Sequence, residues 1–111
     1  MEISTRVHEN NVVVLKVQGE VDAHTARDLS KTLTDLLNLG FHRIVIDVSG
    51  ITFISSAGIR AILYTHREAV QLGGKVRLVG PTDQVRRIFE IVGFFELLQI
   101  TDRLEESIKN W

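Results

Sequence analysis

The sequence contains no cysteine. Disulfides, thiolate metal sites and cysteine nucleophiles are therefore excluded. No apolar run approaches the roughly 20 residues that a membrane helix needs. The start, Met1-Glu2-Ile3-Ser4-Thr5, lacks the basic segment and apolar stretch of a signal peptide. A cytoplasmic chain without membrane insertion is the expectation. An excess of charge is missing too: 13 Lys and Arg face 14 Asp and Glu, for a formal net charge of -1. Direct nucleic-acid binding through bulk charge is disfavoured, because phosphate contacts need a clustered basic surface. There is no Ser/Gly-rich linker, charge block or repeat. Neither the Gly-x-x-x-x-Gly-Lys-[Ser/Thr] phosphate loop nor the Gly-x-Ser-x-Gly nucleophile turn occurs. No close-spaced ligand cluster marks a metal site. No cofactor is expected.

What is present is ordinary globular sequence, 44% hydrophobic and 24% charged over 111 residues, enough for one domain with a real core. Ile3 to Val7 and the β-branched run Val12 to Val17 flank the turn signal Asn10-Asn11 and read as an antiparallel hairpin. Ala26, Leu29, Leu33 and Leu36 recur at helical spacing, and Gly40 stops that helix. Arg43 to Val48 reads as a central strand covered on both faces. Ile51-Thr52-Phe53-Ile54 is expected to be mostly buried. A second helix carries Ile59, Ile62, Leu63, His66 and Val70 on one side and ends at Gly73-Gly74. Val76 to Val79 is a strand closed by Gly80-Pro81. Thr82 or Asp83 caps a third helix with Val85, Ile88, Phe89 and Val92 inward. Phe94 to Ile100 has room for a short strand. Asp102 with Glu105 has the spacing of a capping box for a last helix containing Leu104 and Ile108. After the hairpin, strands and helices alternate, which predicts an α/β fold: a small mixed, mostly parallel sheet of about four to five strands with packed helices. Functional loops then gather beyond the carboxyl ends of the strands, over Gly19–Thr25, Ser49–Gly58 and Gly80–Asp83.

The most informative of these is Ser55-Ser56-Ala57-Gly58, a polar turn between an apolar strand and a helix. Its simplest role is capping, with Ser56 at or near the N-cap. The same geometry tolerates an anion, because free amides and the positive dipole end face outward. A phosphate on Ser56 would add about -1.5 to -2 charges. A catalytic serine would instead need a histidine base in reach. His66 lies on the same helix but roughly 15 Å along it by helical rise. His24 comes near only through folding, and His8 and His42 carry no signature. Asp22 and Asp47 both fall near expected strand ends, which would bring two carboxylates to one rim for acid–base work. Isolated rim aspartates more often bond loop amides. Arg86-Arg87 reads as a solvated helix face, and the terminal Trp111 marks no site by itself.

Two segments together resemble the STAS family of sulfate transporters and anti-sigma factor antagonists, and most of all its free-standing bacterial antagonists of the sporulation and general-stress type. Gly19-Glu20-Val21-Asp22-Ala23-His24-Thr25-Ala26 is similar to the family's Gly-Glu-hydrophobic-Asp stretch. Ile44 to Ser49 through Phe53 to Ile59 is similar to its signature strand, loop and helix start. Gly73-Gly74-Lys75 and Val92-Gly93-Phe94 match in place. The resemblance implies a non-enzymatic module that binds an anti-sigma factor serine kinase and so frees a sigma factor. It implies that the kinase phosphorylates a serine at the start of the second helix, and that a serine phosphatase resets it. Registered on Gly58, the family's Asp-Ser-[Ser/Thr]-Gly puts the phosphate on Ser56, with Ser55 in place of the aspartate and second choice for the modification. The partner-binding rim would comprise Asp22, His24, Thr25, Ser55, Ala57, Gly58 and Ile59, with Asp22 serving contact or loop support. Two other readings remain: a STAS adaptor in a signalling scaffold or lipid-transport complex, and a small serine hydrolase.

Overall fold

The structure is a computed structural model and describes residues 1–93 and 97–111. The expected hairpin forms: β1 (Glu2–Val7) pairs antiparallel with β2 (Val12–Val21). Its turn places Asn10 and Asn11 at positive φ, a region that asparagine tolerates. There follow α1 (Ala26–Asn38), β3 (Arg43–Ile54), α2 (Ser56–Gln71), β4 (Lys75–Val79), α3 (Asp83–Ile91), β5 (Gln99–Thr101) and α4 (Leu104–Ser107). The strands lie in the order β1-β2-β3-β4-β5, and every pair after the first is parallel. The expected fold class is therefore the observed one. The expectations for Phe94 and Phe95 fall outside the described residues.

Both central strands run further than their hydrophobic patterns predict. β2 continues to Val21, and β3 continues from Val48 to Ile54, so the segment expected as a loop over Ser49–Gly58 begins only at Ser55. The pairing explains how. Between Lys16 and Gln18, β3 advances from Asp47 to Gly50, and between Gly19 and Glu20 it advances from Ile51 to Phe53. Each step inserts one extra residue into β3, a bulge. The buried positions on the helix-covered face accordingly run Ile44, Ile46, Val48, then Ile51 and Ile54, and the period changes from two to three. Thr52 and Phe53 point outward as a result, so the apolar run is only half buried. Gly50 sits at the first bulge, where a Cβ would lie 2.9 Å from the Gln18 side chain.

The main core lies between one sheet face and α1, α2 and α3, with Leu29, Leu33, Ile62 and Phe89 fully buried against Leu15, Ile44, Ile46 and Leu78. The inward stripe of α2 is Gly58, Ile59, Ile62, Thr65 and Ala69. Leu63 and His66 are half-buried and Val70 is exposed, contrary to the apolar spacing. Small residues at Gly58 and Ala69 let the helix approach the sheet, and a pattern weighted by large side chains misses them. Val92 is likewise exposed, because α3 ends at Ile91. Thr82, not Asp83, caps α3 by accepting from the Val85 amide at 3.2 Å.

The second sheet face is covered by the C-terminal segment. Leu104, Ile108 and Trp111 pack on Val12, Val14, Val45 and Val79. Arg77, almost fully buried, anchors this segment: its guanidinium donates to the carbonyls of Ser107, Lys109 and Asn110 and to the Gln99 side chain, and lies 4.0 Å from the centre of the Trp111 ring. The expected capping box is absent. α4 starts one residue later than that spacing requires, Arg103 occupies the N-cap without a side-chain bond, and the Asp102 carboxylate pairs with Arg86 at 2.9 Å.

Candidate functional site

The ends of β2 and β3 lie side by side, Val21 opposite Ile54. The Ser55 amide then donates to the Val21 carbonyl at 2.7 Å, so the β2–α1 and β3–α2 loops form one rim.

Asp22 organises the first loop. Its Oδ1 accepts from the amides of His24 at 2.9 Å and Thr25 at 2.8 Å. The Thr25 hydroxyl accepts from the Asp22 amide at 2.9 Å and lies 3.1 Å from both the Glu20 carbonyl and Asp22 Oδ1, donating its single proton to one of them at a time. The Asp22 carbonyl accepts from Ala26, which starts α1. The amide and then the hydroxyl of Thr25, with the His24 amide, hold the Asp22 carboxyl below the ordinary carboxylate value. Asp22 is thus an exposed, ionised carboxylate with one oxygen committed to the loop. His24 is exposed beside it and Thr25 is half-buried.

The second loop divides two roles between adjacent serines. Ser55 is extended, with φ -80 and ψ 166, and its hydroxyl accepts from the Gly58 amide at 3.2 Å. It is the N-cap, the position expected for Ser56. Ser56 is the first residue of α2 and is exposed, and among the described residues its hydroxyl makes no hydrogen bond. Gly58 is buried because α2 begins against the strand ends: a Cβ would lie 2.8 Å from Val21 Cγ1 and 2.9 Å from Ile54 Cγ1. Ile59 is buried in the core. Gly58 and Ile59 therefore shape the rim from beneath, while Asp22, His24, Ser56 and the half-buried Ala57 present its surface.

The other candidates stand elsewhere. Asp47 is seven residues before the end of β3, opposite Lys16, and its Oδ1 accepts from the Ser49 hydroxyl at 2.6 Å and the Ser49 amide at 3.0 Å. The extra length of β3 separates it from Asp22, so no carboxylate pair forms on the rim. His66 uses Nδ1 to accept from the Val76 amide at 3.1 Å, tying α2 to β4. Burial, and secondarily the Lys75 charge, depresses its pKa. It is a structural, neutral imidazole and not a base for Ser56. Among the described residues no group of three or more His, Cys, Asp or Glu could hold a metal ion, and no helix is long and apolar enough to cross a membrane.

The model of the STAS domain matches residues 2–107. The chain belongs to the STAS domain family. It is 26% identical over 91 residues to the anti-sigma-B factor antagonist of Staphylococcus aureus, covering 82% of this chain and 84% of that protein. Among solved structures it resembles the anti-sigma factor antagonist SpoIIAA in its unphosphorylated form, with a TM-score of 0.84 at 22% identity over 96% of this chain and 93% of that one. The phosphorylated form of SpoIIAA, from Bacillus, gives a TM-score of 0.77 at 21% identity over 96% of each chain. The structural likenesses carry the fold, and the family match places the Asp22 and Ser55–Gly58 loops within the STAS domain. Sequence reasoning missed Arg77 and its bond to the C-terminal segment, because a lone arginine in an apolar strand carries no pattern of its own.

Proposed function

We propose that this STAS domain is an anti-sigma factor antagonist. In this reading it binds an anti-sigma factor with serine kinase activity, releases the sigma factor, and loses its grip when Ser56 is phosphorylated. A serine phosphatase restores the binding form, and the protein works in the cytoplasm as a regulator without catalysis of its own. The single observation behind the reading is the split between the two serines: the Ser55 hydroxyl is engaged by the Gly58 amide, whereas the Ser56 hydroxyl is exposed and unengaged on the rim. A kinase needs a hydroxyl that it can reach.

The geometry supports a switch of the binding surface more than of the fold. Ser56 stands at a helix N-terminus, where added negative charge is tolerated. Ala57 and the buried Gly58 leave little bulk around it, so a partner can approach the backbone closely. A dianion trapped unpaired in that interface is costly. Each 1.4 kcal/mol is a tenfold change in affinity, so a few kcal/mol of repulsion and desolvation turns binding off. Asp22, fixed by Thr25 and His24, offers its second oxygen to a cationic or donor group of the partner.

The test is incubation with an anti-sigma kinase and ATP, followed by intact-mass measurement. Wild type gains one phosphate, Ser56→Ala gains none, and Ser56→Asp binds the kinase weakly while keeping its circular dichroism. Undiminished phosphate uptake by Ser56→Ala would move the modification to Ser55.

A further inference from the structure

Beyond the rim, the feature with the clearest chemical signature is the groove between α1 and α2. It opens at Ala23 and Ala57, next to Ser56, and runs along the two helices to Tyr64 as an open channel of about 590 Å³. Its walls carry Arg27, Lys31 and Arg60 and no carboxylate. The whole chain has a net charge of -1, so this is a local concentration of positive charge against the average. Lys31 shares its charge with Asp35 at 3.1 Å, but both are well exposed, and such pairs are weak. Arg27 and Arg60 make no ion pair among the described residues.

We propose that this groove takes an acidic segment of the protein that docks on the rim, with Ser56 as the gate at its mouth. The identity of that docking protein rests on the antagonist reading above. Guanidinium groups bind carboxylates in a bidentate fork, and two unengaged arginines on facing helices can hold an acidic chain from both sides. The remaining lining is mostly alanine and serine, which admits a peptide but offers few aromatic faces for stacking bases. Ser56 and Arg60 are four residues apart on α2 and share a helix face. A phosphate on Ser56 therefore stands one turn from Arg60. It competes for that guanidinium and repels the incoming carboxylates at the mouth. Modification of one hydroxyl then acts along the whole groove and not only at its own contact.

The test uses the intact, isotope-labelled chain titrated with a short glutamate-rich peptide and with its lysine counterpart. The glutamate peptide should shift the amides of Arg27, Lys31, Arg60 and Ala61, the lysine peptide should not, and Ser56→Asp should weaken the effect. In parallel, the double reversal Arg27→Glu/Arg60→Glu should weaken binding of an anti-sigma kinase by at least about tenfold, more at low salt than at high salt. The neutral pair Arg27→Gln/Arg60→Gln guards against loss of fold and should show a smaller loss in the same direction. Kinase binding unchanged by the double reversal overturns the groove assignment and leaves the antagonist reading standing. No kinase binding by wild type, with the glutamate footprint intact, overturns the antagonist reading and keeps the groove. An equal footprint from single-stranded DNA or inorganic phosphate overturns the acidic-segment assignment, because the groove would then be an unselective anion surface.

Discussion

Replacing Arg77 by methionine should destabilise the protein more than any conservative change on the rim. Arg77 is 2% exposed, and its charge is met by neutral acceptors: the Gln99 side chain at 2.7 Å and the carbonyls of Ser107 at 2.9 Å, Lys109, and Asn110 at 2.7 Å. Hydrogen bonds to a charged group contribute about 1.5–3 kcal/mol each, and a desolvated cation–π contact about 2. These do not add in full. The guanidinium regains its own desolvation cost when removed, and the freed carbonyls of Lys109 and Asn110 find water once the segment lifts. A net loss of about 3–4 kcal/mol remains, against a total of about 5–15 for a typical domain. Met retains the apolar stem, so the loss reports the guanidinium. Arg77→Lys should recover less than half, because an ammonium lacks the planar fork that reaches separate carbonyls. Trp111 is the sole tryptophan and stacks on Arg77, so its fluorescence during urea unfolding is a local probe, with far-UV circular dichroism as the global one. The native emission of Arg77→Met should shift to the red as the ring leaves Val79 and its neighbours. A loss below about 1 kcal/mol with unchanged Trp111 emission would refute the view that Arg77 anchors the C-terminal segment.

Three further expectations concern the rim and its support. Ser55→Ala should cost about 1 kcal/mol in urea unfolding through the lost cap, whereas Ser56→Ala should stay within about 0.5; the reverse order would assign the cap to Ser56. Gly58→Ala should destabilise by about 1–3 kcal/mol, because its Cβ enters the space of Val21 and Ile54 and outweighs the better helix propensity; a gain in thermal midpoint would show that the contact relaxes freely. His66 should make stability fall with acid. Its pKa is depressed in the native state, so its contribution is whole above the ordinary value of 6.5 and is lost as pH falls from there through the native value, where the unfolded chain binds the proton first. Stability curves of wild type and His66→Gln should diverge in that window, and parallel curves would remove His66 as a cause.

The elements and their order were legible because strands and helices here differ in period and end at clear signals such as Asn10-Asn11, Gly40 and Gly73-Gly74. What escaped has a physical reason in each case. The β3 extension escaped because two bulges change the spacing of Ile51 and Ile54 relative to Val48, and a period-two reading loses the strand at Val48. The α2 face escaped because Gly58 and Ala69 face the core through small size. The Asp22 loop was half legible: a rim aspartate bonded to loop amides was one expected outcome, but its reciprocal partnership with Thr25 depends on how the loop folds back on itself. Asp47 is equivalent to Asp22 only if β3 ends near it, and β3 runs seven residues further. The Arg77 anchor pairs a strand residue with carbonyls some thirty positions on, and no local pattern encodes such a contact.

The two serines also explain how this chain can depart from the Asp-Ser-[Ser/Thr]-Gly pattern that the resemblance implies without losing the helix start. Aspartate and serine are near-equal N-caps, so Ser55 keeps the bond to the Gly58 amide that an aspartate would make. What changes is charge. An aspartate at the N-cap would offset the positive end of the α2 dipole, an effect of about 0.3–1 kcal/mol at an exposed terminus, and would repel a dianion on the next residue. Ser55 leaves that end of α2 uncompensated, since the first turn holds no acidic residue. In the proposed switch, a phosphate on Ser56 is therefore less opposed within the domain itself. On the proposed reading, the cost of modification shifts toward the interface, where the Arg60 guanidinium and the carboxylates proposed for the docked partner decide it. Capping by Ser55 and the switching proposed for Ser56 then belong to neighbouring residues.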